Sequence, residues 1–343
     1  MIETEVFGVA VPLKKKFVVS KGGAAIKRNL ITVLNNRYFG EAATSVHYGP
    51  QLPQLKVDLT EGLKKLRELE TIDTDTLSEI ESWDIHPIAR AAIVGMVLNY
   101  ISGETRRYPW EILDLGSPLG IRSSWTVAID DPNDMIAAIK SSPYPIIKIK
   151  MGNEQDLLLL DQIGDLSDKE IRVDANGGWS CAKAEEMIFH LSRLGVKVIE
   201  QPTDIEFVSE WRHLKGKIED VELFVDEGLN NLEDYRKYAE HIDGVNIKPE
   251  KSGGIVQASK LAKQAATDGK KIMLGCMVQS SLGIAQAVYM SSQADYFDLD
   301  GPLLLESDIG RGIRYNRESI EVDREIIGGP KIRRDIVQKY LDD

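Results

Sequence analysis

The chain is poor in the residues that would staple it or anchor it. Only two cysteines, Cys181 and Cys276, occur in 343 residues, which does not suggest a disulfide framework. The five histidines, His47, His86, His190, His213 and His241, show no metal-type spacing. No apolar run approaches about 18 residues, so no membrane-spanning helix is expected. The N-terminus, MIETEVFGVAVPLKKKF, opens on acids and lacks a signal-type apolar stretch. Positive charge is also short: 42 Lys and Arg against 54 Asp and Glu leave a net charge of −12. That balance argues against nucleic acid or an anionic membrane as a partner. The expectation is a cytoplasmic protein whose surplus carboxylates suit solubility and a cation site.

What is present is periodic. No low-complexity segment or linker interrupts the chain, which is long enough for a large core in two domains. TEVFGVAVPL and NLITVLNNRYFGEAAT alternate apolar and polar residues around turns, as antiparallel strands do. LTEGLKKLRELETI and HPIARAAIVGMVLNYISG follow with helical patterns. The second carries Ile88, Ala91, Ala92 and Met96 at helical spacing. From about residue 123, short apolar runs recur: SWTVAI (124–129), IIKIKM (146–151), IRVDAN (171–176), KVIEQP (197–202), ELFVDE (222–227), GVNIKP (244–249), KIMLGC (271–276) and YFDLDG (296–301). Amphipathic helices lie between. One places Ala184, Met187, Ile188, Leu191 and Leu194 on a face behind an N-cap at Ser180. Another places Ile255, Ala258, Leu261, Ala262 and Ala265 before Gly269. Eight such units read as a TIM-type barrel, with a doubly wound sheet as the competitor.

In such a barrel the chemistry gathers at the C-terminal ends of the strands. The second run ends with Lys148 and Lys150, the third with Asp174 and Asn176, the fourth with Glu200 and Gln201. The fifth ends with Asp226 and Glu227, the sixth with Lys248, and the eighth with Asp298 and Asp300. Three carboxylates converging from adjacent strands repel one another unless a cation sits among them. Oxygen ligands favour a hard ion such as Mg²⁺, with Asp174, Glu200 and Asp226 as its ligands. Lys150 and Lys248, from strands two and six, flank it from opposite sides. A nearby cation, a second ammonium and partial burial all lower a lysine's pKa, so Lys150 is expected to serve as a general base, with Lys148 supporting an anion beside it. Asn176 orients a ligand or holds a turn. Glu227 alternates with Asp226 and should face away from it, in a supporting role. Lys251 reads as a loop charge, Cys276 as pocket lining, and Gly253–Gly254 as a helix start open to an anion.

The ordered set KIK, DAN, EQP, DE and NIK…GG resembles the enolase superfamily, and within it the muconate-lactonizing group and its dipeptide epimerases. That resemblance covers essentially the whole chain. It implies an α/β fold, a modified TIM barrel (β/α)7β at 121–310 with an N-terminal α+β capping domain at 1–120 and a C-terminal segment, 311–343, returning to the cap. Mg²⁺-stabilised enediolate chemistry with a lysine base is what the resemblance implies, and is an established pattern of the superfamily. It further implies that Asp298 and Asp300 hold a dipeptide's free ammonium and that Thr126 and Cys276 line the substrate pocket. Lys148 then binds the dipeptide carboxylate while Lys150 and Lys248 exchange the α-proton of the C-terminal residue. One departure stands out: many relatives carry MxE after strand seven, where this chain has Gln279 in MVQ. In FVVSKGGAAIKRN (17–29), Gly22 falls where glutamate-specific relatives place arginine. The expectation is therefore small or hydrophobic dipeptides, with Lys21 a solvated charge. The alternatives are a cycloisomerase or o-succinylbenzoate synthase on the same scaffold, or a non-catalytic ligand-binding barrel. Barrels of this type often form symmetric homo-oligomers.

Overall fold

A computed structural model of the chain describes residues 2–19, 22–44, 49–164, 166, 168–215, 218 and 220–342. Lys21 and His47 lie outside these.

The first strands, Thr4–Val19, Gly22–Leu34 and Tyr38–Ala43, form an antiparallel sheet, and Leu341–Asp342 adds to its free edge opposite Gly8 and Val9. The ends of the chain therefore meet in one cap sheet. Helix Leu52–Glu68 packs on it with Leu55, Leu59, Leu63 and Leu66 buried. In helix Pro87–Thr105, 13 of 19 residues are buried, and a helix apolar on all sides needs cover on all sides. It gets it: Asn99 donates to Phe39 O at 2.9 Å on the cap side, and Gln286 of the barrel helix Ser281–Tyr289 donates to Ala91 O at 2.9 Å.

The eight later runs are strands, Trp125–Val127, Ile146–Lys150, Glu170–Asp174, Val198–Glu200, Glu222–Val225, Gly244–Ile247, Lys271–Gly275 and Tyr296–Asp298, here called barrel strands one to eight. They form one parallel sheet in sequential order. Ser123 bridges Phe297 in parallel, and the Ser124 N–H donates to Phe297 O at 3.0 Å, so strand eight returns to strand one. Each strand stops before its sequence run does: Gln201, Glu227, Lys248 and Asp300 lie past the last strand residue, on the rim.

Register aims the side chains. Lys150 lies opposite Asp174, and Asp174 opposite Glu200, so these three share the inner face. Deeper inside, Val198, Phe224, Met273 and Tyr296 form a separate apolar cluster, capped by the Arg172 guanidinium 4.9 Å from the Tyr296 ring centre. The barrel is plugged at that end, and the clustered lysines and carboxylates lie at the other. Helix Cys181–Arg193 has its Ser180 cap and buries Ala184, Met187, Ile188 and Leu191. Leu194 does not join them, because the helix ends before it and leaves it 37% exposed. Helix Ile255–Thr267 starts at Gly254, but Ile255 N–H donates to the Gln286 side chain at 3.0 Å, so this N-terminus is already satisfied from within. No helix among the described residues is long and apolar enough to cross a membrane.

Candidate active site

Strand two brings Lys148 and Lys150 to the inner face, as its alternation demands. Neither is isolated. Lys148 Nζ lies 2.9 Å from Asp174 Oδ2, 2.8 Å from Glu200 Oε2 and 2.7 Å from Asp298 Oδ2. Lys150 Nζ lies 2.6 Å from Asp174 Oδ2. Across the barrel, Lys248 Nζ lies 2.8 Å from Asp226 Oδ2. Asp174, Glu200 and Asp226 are 0%, 1% and 1% exposed, so water screens none of these contacts.

Lys251 corrects the sequence reading. It is not a loop charge. It sits in the helical turn Pro249–Ser252, one turn past Lys248, is 3% exposed, and donates to both the carbonyl and the carboxylate of Asp226. The spacing KPEK carried that signal, since residues three apart share a helix face. Asn246 was also missed. It lies two before Lys248 on strand six, hence on the same face, and donates to Glu200 Oε1 at 2.9 Å. Gly275 makes room for it, because a Cβ there would fall 2.4 Å from Asn246 Oδ1.

Glu227 is a second correction. Strand five ends at Val225, so the alternation does not extend past Asp226. Glu227 instead lines the same cavity as Asp226 and accepts from Asn176 Nδ2 at 3.0 Å. Asn176 holds the turn, with φ of 46° and its N–H donating to Asp174 Oδ1 at 2.9 Å. Asp298 accepts from Ser124 Oγ at 2.7 Å, and Asp300 accepts from the Thr126 N–H at 2.6 Å. Gln279 is fully buried and donates to Glu250, a buried carboxyl from the Lys251 turn.

These contacts set the protonation states. Burial opposes the charge on Lys148 and Lys248, but the carboxylates around them outweigh it and hold both above the ordinary lysine range. Carboxylates are the nearest charged neighbours of both ammonium groups. Burial raises the acids, yet the lysines hold Asp174 and Asp226 well below the carboxylate range. Burial and then the Asp174 charge push Glu200 up to about 8. Burial with Asp226 and Asp174 pushes Glu227 to about 7, and burial with Asp298 pushes Asp300 to about 7.

The charges do not cancel. Four lysines (148, 150, 248 and 251) meet six carboxyls (Asp174, Glu200, Asp226, Glu227, Asp298 and Asp300). Fully ionised, the cluster carries two surplus negative charges, which adds to the burial that already raises Glu200, Glu227 and Asp300. Among the described residues no three acids, histidines or cysteines stand close enough to cage an ion as they are; ammonium groups lie on the oxygens. The donor set still fits a divalent cation: hard oxygens on three adjacent strands, with a surplus of negative charge.

Above the charges lies a cavity of about 350 Å³, the size of a small-ligand site. Thr126, Lys148, Lys150, Asn176, Asp226, Glu227, Lys248, Cys276, Asp298 and Asp300 line it from the barrel; the cap hairpin closes it. Asp174 and Glu200 sit beneath. Gln279 lies outside the lining, behind Val278. Burial and the two strand-eight carboxylates push the Cys276 thiol well up, in keeping with a wall residue.

A family model described as enolase C-terminal domain-like matches residues 133–319. An L-Ala-D/L-amino acid epimerase of Maribacter sp. is 29% identical over 315 residues, covering 89% of this chain and 92% of the relative. Another, of Pedosphaera parvula, is 31% identical over 290 residues, 80% of each chain. A dipeptide epimerase from Cytophaga hutchinsonii, solved with Mg and D-Ala-L-Val, shares the fold with a TM-score of 0.87 at 24% identity over 98% of this chain and 97% of that one.

Proposed function

The chain belongs to the enolase superfamily, and we propose that within it the protein is a Mg²⁺-dependent dipeptide epimerase, inverting the α-carbon of the C-terminal residue. The observation that carries this reading is the pair Lys150 and Lys248. They stand on strand two and at the end of strand six of an eight-stranded barrel, hence on opposite walls, and line one cavity. Two lysines so arranged suit removal of a proton from one face of a carbon and its return to the other.

One lysine, as the free amine, accepts the α-proton. The electron pair left on carbon delocalises into the neighbouring carboxylate as an enediolate, and the other lysine, as an ammonium, donates a proton to the opposite face. No net oxidation occurs. Lys148 supplies fixed positive charge where negative charge grows, and fixed charge in a dry site is the most effective kind. Asp174, Glu200 and Asp226 would hold the cation, which when bound neutralises part of the charge gathering on the substrate carboxylate. Asn246 and Lys251 keep Glu200 and Asp226 oriented. Asp298 and Asp300 would receive the dipeptide's ammonium, with Thr126 and Cys276 forming the adjoining wall. The relatives named as epimerases of dipeptides or of L-Ala-linked amino acids support the assignment.

The test is incubation with Mg²⁺ and an L,L-dipeptide library in D₂O, read by mass. A gain of about one dalton is expected, lost in Lys150→Ala or Lys248→Ala. Turnover of dicarboxylates lacking an amine, with no gain on any dipeptide, would replace this reading by a cycloisomerase or succinylbenzoate synthase. No turnover of either class, with tight ligand binding, would leave a non-catalytic barrel.

A further inference from the structure

The peptide that carries the two strand-eight carboxylates is gripped on both sides by side chains that the chemistry above does not use. Leu299 lies between Asp298 and Asp300 and is fully buried. Its N–H donates to Ser123 Oγ at 2.7 Å, and its carbonyl accepts from the Tyr315 hydroxyl. The first bond fixes the peptide plane that follows Asp298, and the second fixes the plane that precedes Asp300. Tyr315 is half-buried and turns its hydroxyl inward to reach that carbonyl. Burial holds the phenol well above its ordinary range, so it remains a donor at every working pH.

Both grips hang on one hairpin. Before it reaches the cap sheet, the C-terminal segment pairs Ile313–Asn316 with Ser319–Val322. The second of these strands also pairs with Ile121–Arg122, the lead-in to strand one, and the Ser123 N–H donates to Glu318 O at 2.7 Å. Ser123 is thus held from the hairpin's turn, while Tyr315 projects from its first strand. The place matters. Strands one and eight are three residues each, and among the described residues a single bridge, Ser123 with Phe297, joins them. Every other neighbouring pair in the barrel has a ladder of at least two paired residues. The seam that carries Asp298 and Asp300 is therefore the least pinned by backbone, and the hairpin fastens it from outside.

We propose that Tyr315 and Ser123 are positioning residues that set the spacing of Asp298 and Asp300 for the substrate's ammonium group, so that the hairpin at 313–322 governs preference for a free amine. The inference rests on the dipeptide reading above, in which those carboxylates receive the ammonium. Charge-assisted hydrogen bonds are short and directional, and acceptors that must rearrange on binding forfeit part of the affinity. Neither Tyr315 nor Ser123 lines the cavity; both act through Leu299.

The experiment takes the L-Ala-L-X dipeptide that exchanges fastest in the D₂O library and sets it against propionyl-L-X, which differs only in lacking the amine. The readouts are kcat and KM of the dipeptide for deuterium incorporation, and Ki of propionyl-L-X as a competitive inhibitor. In the unaltered protein Ki should exceed KM by at least about tenfold, since the analogue leaves the carboxylates unpaired. Tyr315→Phe removes one oxygen; it should raise KM and cut the Ki-to-KM ratio about fivefold or more, with kcat changed less than about twofold. Ser123→Ala should cut the same ratio, and it decides the matter if Tyr315→Phe does not fold. Neither constant depends on how much of a variant is folded. A ratio unchanged in the variants, KM and Ki rising together included, would overturn the positioning role while leaving dipeptide epimerisation standing. Equal Ki and KM in the unaltered protein would overturn it together with the ammonium role of Asp298 and Asp300. No exchange on any dipeptide would overturn the dipeptide reading as well.

Discussion

Glu250→Gln should make the protein more stable at pH 8 and flatten its stability between pH 4.5 and 7. Glu250 is 1% exposed and accepts from Gln279 Nε2, while its other oxygen and Gln279 Oε1 find no hydrogen-bond partner among the described residues. Burial pushes its carboxyl from 4.5 to about 7. A raised carboxyl binds its proton more tightly in the folded state, so its stabilising effect is complete below pH 4.5 and is lost as pH rises through about 7. Each tenfold difference in proton affinity is worth about 1.4 kcal/mol. The whole window therefore carries up to about 3 kcal/mol, which nearby water or backbone adjustment will reduce. The neutral acid can hold a two-point bond with the Gln279 amide, and a glutamine at 250 can do the same at every pH. Urea melts from pH 5 to 8 measure the effect. The expected result is a gain of about 1–3 kcal/mol at pH 8 and little change at pH 5. A variant destabilised at pH 8, or one that keeps the original pH slope, would refute the argument. The pair also accounts for the departure at Gln279. The charge that many relatives carry there is absent, but a carboxyl from the neighbouring turn faces the same spot.

Three other perturbations bear on the site and on its junction with the cap. Lys251→Met strips a buried ammonium from Asp226, which keeps only Lys248; we expect a loss of about 2–4 kcal/mol in metal-free urea melts, partly recovered by added Mg²⁺, and no loss if the lysine were a loop charge. Glu41→Ala removes the acceptor shared by Asn29, Ser280 and Gly283; about 3 kcal/mol or more should be lost, with faster limited proteolysis in the cap, whereas unchanged digestion would show that the carboxylate does not tie cap to barrel. Chelation should abolish α-proton exchange and lower the melting temperature, because the cluster then keeps its surplus negative charge; exchange that survives exhaustive chelation would dismiss the metal.

Strand ends were legible because a barrel strand obeys two simple rules: apolar residues hold it in the wall, and alternation sends every second side chain inward. Lys148, Lys150, Asp174, Glu200 and Asp298 all follow from those rules, as does Asn246, on which they were not applied. All eight strands are legible, each with its run extending one to three residues past the sheet. The rules fail one residue past the strand. Glu227 was sent outward by an alternation that had already ended at Val225, and Leu194 was placed on a helix that had already stopped.

Lys251 was only half legible. The spacing KPEK puts it on the Lys248 side of a helical turn, but nothing local distinguishes a buried lysine from a solvated one. Burial is decided by what folds over the residue, here Asp226, 25 residues earlier and one strand away. The same non-locality explains why Lys148 sits above the ordinary lysine range. Sequence shows that it shares a strand face with a second ammonium. It does not show that Lys148 meets three carboxylates from three other strands, and at these distances in a dry interior the nearer opposite charges prevail. The lysines and a divalent cation thus compete for the same oxygens.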